Sequence, residues 1–211
     1  MPIKARCRRR IPRNWRRFLP DQRLKAGRVG VRLRPMTAPA SAQHISDNKR
    51  SVWSGVLACP EATAALARTL TGIAKPGLCV LLDGPVGAGK SYLARTVIQT
   101  LMARNGAVED VPSPTFTLVQ TYDLGPLDVW HADLYRLTSA DELIELGLEQ
   151  AFDAAFCLIE WPDRLGGLRP DGALEITLTP DPTQEDRRTV QITGPRQLIT
   201  CLKAVMESPA E

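Results

Sequence analysis

The chain has 211 residues, 44% of them hydrophobic, and a net charge of +4 at neutral pH, enough apolar material for one ordinary domain and a tail. No stretch approaches the ~20 consecutive apolar residues of a membrane span, and the basic N-terminus lacks the apolar segment of a secretory signal. Both facts argue against membrane insertion and export, so a soluble, cytoplasmic protein is expected. Five cysteines (Cys7, Cys59, Cys79, Cys157 and Cys201) lie far apart, with no C-x-x-C pair and two histidines in the chain. That spacing argues against a zinc site and for reduced thiols. Cys79 and Cys157 sit inside apolar runs and read as small core residues.

The charge is unevenly spread. Residues 1–35 carry thirteen lysines and arginines against Asp21 alone, a net +12, which leaves −8 on the remainder. Residues 1–50 therefore read as a basic, disordered N-terminal extension without apolar periodicity, and residues 51–211 as the folded domain. Three explanations of the extension stand side by side: an RNA-binding arm, an organelle transit peptide, or an alternative start at Met36, which the short polar lead after it favours.

Val52 to Leu57 reads as a short strand and Pro60 to Leu70 as a helix with Leu66 and Leu70 on one face. Leu78-Cys79-Val80-Leu81-Leu82 is an unbroken apolar run suited to a buried parallel strand. Tyr92 to Ala103 follows as a helix, with Leu93, Val97 and Leu101 spaced by four. Further strands are expected at residues 117–122, 127–132, 155–160, 173–179 and 189–193. Further helices are expected at 139–146, opened by a Ser139-x-x-Glu142 capping box, and at 195–206. Strands alternating with helices predict an α/β layered fold of the P-loop NTPase type, with a central, mostly parallel sheet flanked by helices.

Between the buried strand and its helix, Gly84-Pro85-Val86-Gly87-Ala88-Gly89-Lys90-Ser91 matches G-x-x-x-x-G-K-[ST] at every defined position. Glycines let backbone N–H groups approach phosphate oxygens, and the helix N-terminus adds a favourable dipole. Gly84, Gly87, Ala88, Gly89, Lys90, Ser91 and the adjoining Tyr92 are thus the candidate nucleotide-binding residues. Lys90 is placed to reach the β and γ phosphates, and Ser91 to offer its hydroxyl to Mg²⁺. No N-K-x-D guanine-reading segment follows the loop, so ATP is the expected nucleotide.

Hydrolysis needs a second acid. Glu160 ends the apolar run Phe156-Cys157-Leu158-Ile159, where a Walker B carboxylate belongs, and is the second candidate metal ligand beside Ser91. Asp133 ends Val129-Trp130-His131-Ala132 and either completes the acidic cluster or caps the turn before Leu134. The segment Pro112-Ser113-Pro114-Thr115-Phe116-Thr117 is either a hydroxyl-bearing switch or a proline-rich connection.

Taken in order, these pieces resemble the TsaE (YjeE) family, small ATPases of bacterial tRNA threonylcarbamoyladenosine modification. The resemblance is carried by Gly84 to Ser91, Ser113 to Val119, His131-Ala132-Asp133-Leu134-Tyr135-Arg136-Leu137 and Ile159-Glu160-Trp161-Pro162, and spans roughly residues 52–205. It implies an ATPase acting with TsaB and TsaD proteins, which modify adenosine 37 of tRNAs reading codons that begin with A. Ser91 and Glu160 then look like Mg²⁺ ligands, and Asp133, Glu160 and Thr115 like catalytic or switch residues. Trp161 is either a core aromatic or a neighbour of the nucleotide. Pro85 departs from the family pattern, which has an acidic residue there, and removes one backbone donor as well.

Two rivals remain. A small-molecule kinase would need an arginine-rich lid, whereas Arg136, Arg164 and Arg169 are the scattered arginines between Asn105 and Asp171. A nucleotide-sensing adaptor would bind ATP with incidental turnover. Arg136 is the nearest candidate for a charge-neutralising finger, so hydrolysis is expected to be slow alone and faster with partners. A domain at −8 has the wrong sign for phosphate contacts, and tRNA is expected to be reached only through the complex.

Overall fold

The computed structural model describes residues 50–106, 108–137 and 140–207. All of the basic extension except Arg50 lies outside them, as does Ser139 of the expected capping box. In chain order the elements are β1 (Arg50–Leu57), α1 (Pro60–Leu70), β2 (Cys79–Asp83), α2 (Lys90–Arg104), β3 (Val119–Asp123), β4 (Asp128–Asp133), α3 (Ala140–Glu145) and α4 (Leu148–Ala154). They continue with β5 (Phe156–Glu160), a 3₁₀ segment (Pro162–Leu168), β6 (Leu174–Pro180), β7 (Arg188–Pro195) and α5 (Arg196–Glu207).

The seven strands form one sheet in the order β1-β7-β6-β2-β5-β4-β3. Its centre, β6-β2-β5-β4, is parallel, and antiparallel strands close both flanks. β2 lies mid-sheet because its side chains are apolar on both faces. Val80 and Leu82 join the cluster formed with α1, α2 and α5, while Cys79 and Leu81 join the one under α3 and α4. A strand buried twice over needs helices on each side, which is the layered α/β arrangement expected from the sequence.

Local chemistry explains the element boundaries. Pro60 opens α1 at a position where its missing N–H is no loss. The strand expected from Thr117 starts instead at Val119, because Leu118 takes a left-handed conformation (φ 63°) and donates its N–H back to the Pro114 carbonyl at 2.7 Å, withholding it from the ladder. α4 and the 3₁₀ segment were not expected. Both are short, and Gly147, Gly166 and Gly167 interrupt their periodicity. Among the described residues no helix is long and apolar enough to cross a membrane.

For function the decisive feature is the register at the carboxyl edge of the sheet. Leu82 pairs with Glu160, and Glu160 with Asp133, so the end of β2, where the glycine loop begins, is level with both strand-end acids. In open α/β sheets ligands bind outside this edge.

Candidate functional site

Three glycines shape the loop between β2 and α2, all with positive φ: Gly84 at 133°, Gly87 at 78° and Gly89 at 102°. Gly84 stands behind the cleft, where a Cβ would press into the Leu178 carbonyl of β6; Gly87 lines the cleft, and a Cβ there would meet no protein atom. Ala88 N–H is tied to the Pro85 carbonyl at 3.1 Å. The amides of Gly87, Gly89, Lys90 and Ser91 make no backbone hydrogen bond among the described residues. Unpaired N–H groups at a helix N-terminus attract anions.

Lys90 is buried and folds back over the loop, donating to the carbonyls of Gly84 at 2.5 Å and Pro85 at 2.9 Å. Its ammonium also lies 3.8 Å from the ring centroid of Trp161. Burial pulls this lysine below its ordinary pKa, opposed by the carboxylates of Glu160, Asp83 and Asp133. Pro85 has no N–H to offer, but its carbonyl still receives both Lys90 and Ala88. Trp161 follows β5 in a left-handed conformation (φ 61°), one that non-glycine residues adopt at a cost. The ring packs on Tyr135 with centroids 4.9 Å apart, and Trp161 both lines the cleft and lies against the apolar cluster under α3 and α4.

Opposite the loop, Glu160 is fully buried and its two oxygens have separate partners. Oε2 accepts from the Ser91 hydroxyl at 2.8 Å, and Oε1 from His131 Nε2–H at 2.9 Å. Asp133 is likewise held at both oxygens: Oδ2 accepts from Thr115 Oγ1 at 2.7 Å, Oδ1 from the Tyr135 amide at 3.1 Å. Since Thr115 donates to Asp133, it accepts from Ser113 at 2.8 Å. The hydroxyl segment is therefore strapped to the acid at the end of β4.

The cleft has a volume of about 390 Å³ and is bounded by the loop from Val86 to Tyr92 together with Thr115, Asp133, Tyr135, Glu160 and Trp161. Every candidate binding residue except Gly84 lines it, as do all three candidate catalytic residues. Among the described residues no three His, Cys, Asp or Glu side chains converge as a metal cage. Ser91 and Glu160 do present two hard oxygens side by side, the donor set that suits Mg²⁺ when a phosphate ligand supplies others. Arg136 stacks on exposed Phe116 at 4.4 Å.

Two participants escaped the sequence reading. His131 stood within a recognised motif, and its position two before Asp133 on one strand puts both on the same face; that spacing was the available signal. Arg188, at the start of β7, donates through Nε to the Ala88 carbonyl at 3.0 Å and braces the loop from 100 residues away. No local pattern could have announced it.

By this geometry the protein falls in the P-loop class. The family model for the threonylcarbamoyl adenosine biosynthesis protein TsaE matches residues 57–190, more than half of the chain, and the chain belongs to the TsaE family. The tRNA threonylcarbamoyladenosine biosynthesis protein TsaE of Rickettsia bellii is 36% identical over 139 residues, 66% of this chain and 93% of the relative. The corresponding Bacillus subtilis protein is 34% identical over 143 residues, 67% and 87% respectively. The crystal structure of Bacillus subtilis YdiB is similar with a TM-score of 0.54 at 26% identity, covering 76% of this chain and 95% of that one.

Proposed function

We propose that this TsaE-family protein binds ATP with Mg²⁺ in the cleft and hydrolyses it in the cytoplasm, as the ATPase of a complex with TsaB-like and TsaD-like proteins that modifies adenosine 37 of tRNA. The observation that carries the reading is the 2.8 Å hydrogen bond from Ser91 to Glu160, which joins the hydroxyl of the glycine loop to the acid of a neighbouring strand. A glycine turn serving only the fold has no need of a buried carboxylate at that hydroxyl.

In this reading the free amides of Gly87, Gly89, Lys90 and Ser91 receive the β and γ phosphates, and Lys90 exchanges its bonds to the Gly84 and Pro85 carbonyls for phosphate oxygens. Ser91 and Glu160 would hold Mg²⁺, which when bound would supply positive charge against that developing on the terminal phosphoryl group. Asp133, aimed by Thr115 and the Tyr135 amide, orients the attacking water. Thr115 and Ser113 report the γ-phosphate, because any shift of Thr115 is felt through its bond to Asp133. The tRNA is reached through the complex.

Phosphate release by the protein alone, then with purified TsaB-like and TsaD-like proteins, tests the proposal. Slow turnover that rises when the complex forms is expected. Equal rates in a demonstrated complex would move the assignment to a nucleotide-sensing adaptor, the reading that the loss of an acidic residue at Pro85 favours.

A further inference from the structure

His131 is 1% exposed in the middle of β4, and its Nδ1 is the buried side-chain nitrogen or oxygen without a hydrogen-bond partner among the described residues. A fold selected for stability alone would put an apolar side chain here, since an unpaired buried polar atom is a liability. What the imidazole does provide is Nε2–H, which occupies Oε1 of Glu160 at 2.9 Å. Oε2 is then the single oxygen of Glu160 turned toward Ser91 and the loop.

We propose that His131 is a positioning residue that restricts Glu160 to ligation through one oxygen and thereby sets the preference of the site for Mg²⁺ over larger divalent cations. This rests on the reading of Glu160 as a metal ligand. Small Mg²⁺ demands near-octahedral geometry and takes carboxylates through one oxygen, whereas Ca²⁺ accepts more ligands and both oxygens of a carboxylate. With Oε1 blocked, Glu160 suits the first ion. The register strengthens the argument: Asp133 pairs directly with Glu160 across β4 and β5, so an unrestrained Glu160 would turn under repulsion from a neighbouring carboxylate. Groups that orient a metal ligand in this way typically affect metal affinity by ~10- to 100-fold.

The test is a thermal-shift titration of the full chain with a hydrolysis-resistant ATP analogue, run in EDTA, in Mg²⁺ and in Ca²⁺. His131→Leu is expected to raise the half-saturating Mg²⁺ concentration by ~10-fold or more, to narrow the Mg²⁺/Ca²⁺ ratio, and to leave nucleotide binding in EDTA unchanged. His131→Gln, whose amide reaches Oε1 from the same depth, is expected to restore the Mg²⁺ response, and the shorter His131→Asn to resemble the leucine variant. Should His131→Leu fail to fold, the Gln and Asn pair decides, and identical Mg²⁺ responses in the two overturn the proposal. A wild-type Mg²⁺/Ca²⁺ ratio in His131→Leu, or an equal loss in EDTA and in Mg²⁺, overturns it too. Glu160→Gln is the control: an unchanged Mg²⁺ requirement there refutes the ligand reading itself, whereas a raised requirement with an inert His131 refutes the positioning role alone.

Discussion

Gly84 and Gly87 look equivalent in the loop motif, yet alanine should affect them very differently. At Gly84 φ is 133° and a Cβ would sit closer than 3.0 Å to the Leu178 carbonyl oxygen, backbone that belongs to the β6 ladder and cannot rotate away. Forcing a side chain into that conformation costs ~1–3 kcal/mol, and displacing a packed neighbour a further ~1–3 kcal/mol. Gly84→Ala should therefore lose about 4 kcal/mol of stability, or ~8–16 °C in unfolding midpoint for a domain of this size. At Gly87 φ is 78° with nothing within 4 Å, so only the left-handed backbone is penalised, by ~1–2 kcal/mol, partly offset because alanine also restricts the unfolded chain. Gly87→Ala should stay within ~1 kcal/mol of the parent and weaken ATP binding, since its methyl enters the cleft. Differential scanning calorimetry with and without ATP measures both quantities. Equal midpoints for the two variants would refute the argument that Gly84 serves the fold and Gly87 the ligand.

Lys90→Ala should weaken ATP binding by ~100-fold or more while shifting stability by no more than ~1 kcal/mol, because the lost bonds to Gly84 and Pro85 are offset by removal of a desolvated charge; unchanged affinity in titration calorimetry would refute the site. Burial pushes the Cys157 thiol up to about 12 from its ordinary 9.0, and Cys79 moves upward for the same reason, with Cys157 adding to it. The folded chain keeps a proton that the unfolded chain releases, so this stabilisation is complete below pH 9 and is lost as pH rises toward 12. Wild type should accordingly lose about 2 kcal/mol more than Cys157→Ala between pH 8 and 10.5 in urea titrations, and parallel pH curves would contradict it. Deleting residues 1–35 should leave ATP binding and hydrolysis intact, since every residue lining the cleft lies between Val86 and Trp161; a large loss of either would make the extension part of the working protein.

Much of this protein was legible in its sequence because the relevant signals are local. The run from Leu78 to Leu82 could be read as a buried parallel strand, since apolar side chains on consecutive residues demand cover on two faces. The glycine pattern from Gly84 to Ser91 could be read as a tight turn opening a helix, because φ values above zero and a bare helix N-terminus are properties of adjacent residues. Glu160 and Asp133 stood out as acids ending apolar runs. Tertiary structure alone decided how these acids are used. That Glu160 divides its oxygens between Ser91 and His131, that Asp133 is strapped to Thr115, and that Arg188 braces Ala88 all depend on which strands lie side by side. Strand order is settled by burial over the whole sheet, and a contact between residues 69 or 100 positions apart leaves no periodicity in the chain to be read.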